Sequence, residues 1–175
     1  MKIRATAVLL PLALVACAAP APFDGDMPPF TPSRDGATFR FGQTASIVTE
    51  DVRFHVPVQW EITVDKPTTS RAPRSAAEAA SLVCFPVTYT PVAIGEFSRD
   101  VTVAMPELSP IDDSLAANRA DPAYCGDTTV TGYIRDLREN DTYEGFVASW
   151  AGSADPGIVA TGVELRSRDA TVTWE

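Results

Sequence analysis

An all-β sandwich is the fold class this sequence predicts, on three observations. Apolar residues recur at every second position through several segments. Gly, Pro, Asn and Asp punctuate the stretches between them, and the one stretch with helical character after the N-terminus is short. A period of two places alternate side chains on opposite faces of a strand, and repeated short strands divided by turn residues form packed sheets.

The N-terminus belongs to processing, not to the fold. Lys2 and Arg4 precede an apolar run from Ala5 to Ala16, interrupted by Thr6 and Pro11. That is the layout of a secretory signal. The run is about a dozen residues, whereas an apolar helix needs about 20 to cross the hydrocarbon layer. It ends in Leu14-Val15-Ala16-Cys17, which resembles the lipobox of bacterial lipoproteins. The resemblance implies a signal peptide over residues 1–16, cleavage before Cys17, and a diacylglycerol joined to that thiol through a thioether. Two or more fatty chains, such as palmitate, hold a protein on a membrane where one does so only marginally. The competing reading is an ordinary signal peptide that happens to carry a cysteine.

Cysteine usage agrees with export. The chain has three cysteines, and assigning Cys17 to lipid leaves Cys84 and Cys125, an even pair for a compartment where disulfides persist. Cleavage before Cys17 removes Lys2 and Arg4 but none of the 23 acidic residues, moving the net charge from −9 to −11. Such a chain is not expected to bind nucleic acid, which needs clustered Lys and Arg to displace phosphate counterions. Anionic lipid headgroups would repel it as well.

Residues 17–36 carry Pro20, Pro22, Pro28, Pro29 and Pro32 among small and acidic residues, without apolar periodicity. This reads as a tether behind the lipidated cysteine. Residues 37–175 are within the size range of one domain.

Weak strand character runs from Phe39 to Val48. The clearest alternation follows, with Val52, Phe54, Val56, Val58, Trp60, Ile62 and Val64 on one phase and polar residues between them. So long a strand is unusual, and Pro57 cannot donate to a ladder, so a bulge, an edge or a bend is expected there. Ser75 with Glu78 three residues on matches a capping box, giving one short helix that ends near Leu82. Further strands are read at Val83, Phe85, Val87 and Tyr89; at Val101, Val103 and Met105; at Phe146, Ala148 and Trp150; at Val159, Val163 and Leu165; and at Val172 and Trp174. A weaker one spans Thr128 to Leu137, and turn residues Glu139 to Thr142 join it to the strand starting near Tyr143 as a hairpin.

Two segments carry a family resemblance: Gly42-Gln43-Thr44 opening a strand, and Leu137-Arg138-Glu139-Asn140-Asp141-Thr142-Tyr143-Glu144-Gly145-Phe146-Val147 near the far end. They are similar to the telokin-like, immunoglobulin-like domains of bacterial secreted proteins and lipoproteins, over roughly Gly42 to Leu165. The resemblance implies an immunoglobulin-like β-sandwich of about seven to nine strands and little chemistry. The chain departs from that pattern with Glu139-Asn140-Asp141 where a Pro-Gly pair is common, and with Tyr89-Thr90-Pro91 where an Asn is usual.

A bridge between Cys84 and Cys125 is expected to be structural, because the two lie far apart and lack the C-x-x-C spacing of redox-active pairs. His55 is the single histidine, so any Ser-His-Asp or Cys-His scheme must use it. No G-x-S-x-G elbow accompanies it, and its place on the polar phase of a strand reads as an exposed residue. One histidine and no spare thiol disfavour zinc. Asp112, Asp113, Asp121 and Asp127 share one loop region and are candidates for calcium, set against the plainer reading of a solvated acidic loop. Arg71 and Arg74 form a small basic spot and a candidate contact site. Trp60, Trp150 and Trp174 read as core.

The expectation is a noncatalytic module without a cofactor, anchored by lipid to the outer face of the bacterial cell membrane and meeting an envelope protein or surface partner through its loops. The alternatives are a lipoprotein that binds a small ligand or calcium, and a hydrolase using His55.

Overall fold

The computed structural model describes residues 27–51, 55–71, 81–96, 102–111, 119–127, 132–151 and 159–175. Eleven strands run through them: β1 (Ala37–Phe39), β2 (Thr44–Glu50), β3 (Pro57–Val64), β4 (Thr68–Arg71), β5 (Ser81–Ile94), β6 (Thr102–Ala104), β7 (Leu108–Ile111), β8 (Tyr133–Arg135), β9 (Tyr143–Ala151), β10 (Gly162–Arg166) and β11 (Thr171–Trp174). The described residues contain no α-helix, only a turn of 3₁₀ helix at Pro122–Tyr124. None of their helices is long and apolar enough to cross a membrane.

The alternating residues place the strands in two main sheets. One has the order β1-β11-β10-β7. In the other, β2 pairs with β3 and β3 with β5; β4 continues along the same side of β5 as β3, and β9 lies on the opposite side. A ribbon of β6 and β8 completes the fold. All these pairs are antiparallel except β1 with β11.

The inward phases of both sheets meet in one core. Ile47, Trp60, Ile62, Phe85, Val87 and Val147 come from the larger sheet, and Val163, Leu165, Val172 and Trp174 from the smaller, all buried in one cluster. Apolar area removed from water drives this packing, at about 25 cal/mol per Å², and it makes the fold a sandwich of two layers. The two central indoles also satisfy their N–H groups: Trp60 Nε1 donates to Thr49 Oγ1 at 2.9 Å and Trp174 Nε1 to the Gln43 carbonyl at 3.0 Å. A buried donor left unpaired would cost about 1–3 kcal/mol.

Several elements differ from the sequence expectation. The alternation from Val52 to Val64 is not one strand: Glu50 pairs with Pro57, and the chain reverses between them. Asp51 N donates to the Val56 carbonyl, His55 N donates to the Asp51 carbonyl, and His55 sits at φ +54°. His55 therefore belongs to a hairpin loop rather than to the polar phase of a strand; residues 52–54 lie outside the described ones. Pro57 opens β3, at the first strand position, where proline is tolerated. The stretch from Phe39 to Val48 divides between the two sheets at a turn where Gly42 takes φ +84° and its N–H meets the Val64 carbonyl at 2.8 Å.

The expected hairpin into Tyr143 is not formed. Asn140 makes the turn at φ +63°, but β8 pairs with β6 and β9 with β5. Turn chemistry reverses a chain without choosing the partner strand, and β9 gains more by lying along β5, whose N-terminal half is buried on both faces. The expected helix over Ser75–Leu82 lies outside the described residues except at its end, where Ser81 and Leu82 open β5. Near the C-terminal end of β5 the register against β3 shifts between Gln59 and Trp60, a bulge that accommodates Pro91. Strand β7, with Pro110 within it, is short enough to carry no readable periodicity.

The end of the expected tether is joined to the domain. The Gln59 amide donates to the Pro28 carbonyl at 3.2 Å, and Ser33 exchanges two hydrogen bonds with the backbone of Ser46 on the edge of β2. Covering an edge strand in this way removes unpaired groups that would otherwise recruit another chain.

Candidate functional site

The disulfide forms as cysteine counting indicates, between Cys84 and Cys125, which are 41 positions apart with Cα atoms separated by 5.7 Å. Cys84 lies on the outer face of the larger sheet beside Leu82. There the bridge holds the segment 119–126 down over a second apolar cluster that includes Phe146 and Trp150. Tyr124 lies against Trp150 with ring centroids 6.0 Å apart. Trp150 is thus half-buried under a flap, unlike Trp60 and Trp174, which are fully enclosed.

His55 lines an open cleft of about 750 Å³ at one end of the sandwich, between the β2–β3 hairpin, the chain after β6 and the β10–β11 turn. Its Nδ1 lies 2.8 Å from Glu50 Oε1, and Arg168 Nη1 lies 3.4 Å from Glu50 Oε2. Both pairs are solvent-accessible and contribute about 0–1 kcal/mol each. The buried Asp51 carboxylate accepts from Ala104 N at 3.2 Å and ties the hairpin to β6. Two nearby hydroxyls are engaged elsewhere, Thr49 by Trp60 and Ser167 by the Ala170 carbonyl. Among the described residues no hydroxyl is hydrogen-bonded to His55. The arrangement is a mixed-charge surface suited to polar recognition.

A second cavity, of about 650 Å³, opens where the edges of the two sheets face each other, between β7 and β9. Leu108, Pro110 and Val147 line it from the sheets, and Tyr89 lines it from β5. Arg119 stands at its rim, held 2.7 Å from Glu107 and bonded to Ser109 Oγ. Tyr89 is 7% exposed, and burial pushes its hydroxyl pKa well above the ordinary tyrosine value.

The other sequence candidates fall partly outside the described residues. Asp121 caps the 3₁₀ turn, its carboxylate accepting from Ala123 N at 3.0 Å, and Asp127 is exposed. Asp112 and Asp113 lie outside the described residues. No group of three His, Cys, Asp or Glu side chains able to hold a metal ion occurs among the described residues. Arg71 ends β4 as an exposed residue, while Arg74 and Cys17 lie outside the described residues. Glu50, Arg168 and Arg119 are not singled out in the sequence, and Tyr89 reads there only as a strand residue. Glu50 and Arg168 are 118 positions apart, so no local pattern joins them. Compared with known proteins, the chain matches no family model, no curated protein and no solved structure.

Proposed function

We propose that this protein is a lipid-anchored, extracytoplasmic β-sandwich module that engages a protein or surface partner in the bacterial cell envelope, without catalysing a reaction. The observation that carries this reading is the pairing of Cys84 with Cys125. It leaves Cys17, behind its signal-like apolar run, as the one cysteine outside the bridge. A disulfide in the domain suits an oxidising compartment, and a thiol at the expected cleavage point suits lipid attachment. The fold itself is best read as immunoglobulin-like, of the telokin-like kind. Two features support that likeness: the Gly42 turn leading into β2 and the Asn140 turn leading into β9. Sandwiches present ligand-contacting loops at their ends, and the cleft holding Glu50, His55 and Arg168 lies at such an end.

The anchoring half is tested by metabolic labelling with an alkyne fatty acid and cell fractionation. The wild-type protein is expected to take the label and sediment with membranes, and Cys17→Ser to lose both properties; an unlabelled wild-type protein overturns the anchor. The interaction half is tested with a photo-crosslinking residue at position 55 or 168 on intact cells, against a control at Arg71 on β4. A recurrent adduct from the cleft positions alone supports the reading. Equal trapping from all three positions overturns it.

A further inference from the structure

We infer that the cavity between β7 and β9 is a binding site for a small neutral molecule with an apolar body and a carbonyl or ether oxygen, which accepts a hydrogen bond from the Tyr89 hydroxyl. Its volume of about 650 Å³ lies within the roughly 300–1,000 Å³ typical of sites for small molecules. Apolar side chains from both sheets, among them Leu108, Pro110 and Val147, supply its walls.

Tyr89 supplies the polar handle. The side chain is more than nine-tenths buried, with its ring edge-on to Trp60 at 6.5 Å. Its hydroxyl has no hydrogen-bond partner among the described residues. No fully buried side-chain polar atom among the described residues lacks a partner, so this hydroxyl is open to the cavity. A ligand oxygen placed there takes the place of water as its acceptor, for a net gain of about 0.5–1.5 kcal/mol. Burial also keeps the phenol protonated, and therefore a donor, throughout the physiological range.

Charge selects for a neutral ligand. Arg119, the cation at the rim, is already engaged by Glu107 and Ser109, and Glu107 and Asp121 add negative charge to the same lining. An anion entering would meet carboxylates, and a cation would find a proton donor in place of an acceptor at Tyr89. The site does not depend on lipid attachment and goes beyond the envelope reading, so either can fail without the other.

The test uses the full chain carrying Cys17→Ser, so that no acyl chain competes, with Nile red as a neutral, carbonyl-bearing fluorescent probe. Saturable binding of about one probe per chain with blue-shifted emission is expected; the absence of saturable binding overturns the site. Tyr89→Phe keeps the ring and is expected to weaken binding about fivefold to tenfold, as loss of one hydrogen bond does. Unchanged affinity overturns the role of the hydroxyl. Ala123→Trp places bulk on an exposed part of the lining and is expected to abolish binding without lowering the melting temperature; retained binding in that variant overturns the location. Methyl decanoate is expected to displace the probe and decanoate to fail, and equal displacement by both overturns the preference for a neutral ligand.

Discussion

Phe39 and Trp174 lie with ring centroids 5.8 Å apart, on directly paired positions of the parallel strands β1 and β11. The strand that opens the sandwich is thereby held against the one that closes it. Trp174 is fully buried between the sheets, so Trp174→Ala is expected to cost about 3–5 kcal/mol, read as a shift in the urea midpoint. The half-buried Trp150, replaced in the same way, should cost less.

The bridge from Cys84 to Cys125 closes a loop of 41 positions, and loop-closure entropy assigns such a crosslink about 4 kcal/mol. Cys84→Ser with Cys125→Ser is expected to lower the melting temperature by about 10 °C or more. A thiol assay on Cys17→Ser protein, unfolded without reductant, should count no free sulfhydryl. A melting temperature indifferent to reductant would contradict the assignment.

Gly162 opens β10 where a Cβ would collide with the Trp174 carbonyl oxygen across the strand pair. Backbone cannot yield as a flexible side chain can. Gly162→Ala is expected to destabilise by about 1–3 kcal/mol, the usual cost of overpacking, and calorimetry would detect it.

The raised pKa of Tyr89 sets a pH dependence. In the unfolded chain the phenol loses its proton near pH 10, whereas burial makes the folded protein retain it to higher pH. The folded state then binds more protons than the unfolded one, so stability is complete below about pH 10 and declines as pH rises beyond it. Denaturation curves between pH 9 and roughly 11.5 should show this decline, with a slope smaller by up to one proton in Tyr89→Phe.

At the end cleft, two neighbouring residues should behave differently. His55 is exposed and its pair with Glu50 is solvated, so His55→Ala should change stability by no more than about 0.5 kcal/mol. Asp51 is buried and accepts from Ala104 N. Asp51→Ala should cost about 1–3 kcal/mol, because it removes a buried carboxylate and strips the half-buried Ala104 N–H of its acceptor.

What the sequence determined by itself is the β class, the inward phase of β3 and of β5 at Val83, Phe85 and Val87, and the disulfide; in β9 the inward phase falls on Val147, not on Phe146 and Trp150. Alternation reports which side chains of a strand share a face, as at Trp60, Ile62 and Val64, and that information is local. Tertiary structure alone decided which strands pair. The turn at Asn140 was legible, yet β9 leaves β8 for β5 because burial on β5 outweighs proximity along the chain. The same holds for the sites. Glu50 meets Arg168, and Tyr89 faces the gap between β7 and β9, only because two sheets stack and bring distant segments to one end or one seam. No pattern in a linear sequence records a distance across the space between two layers.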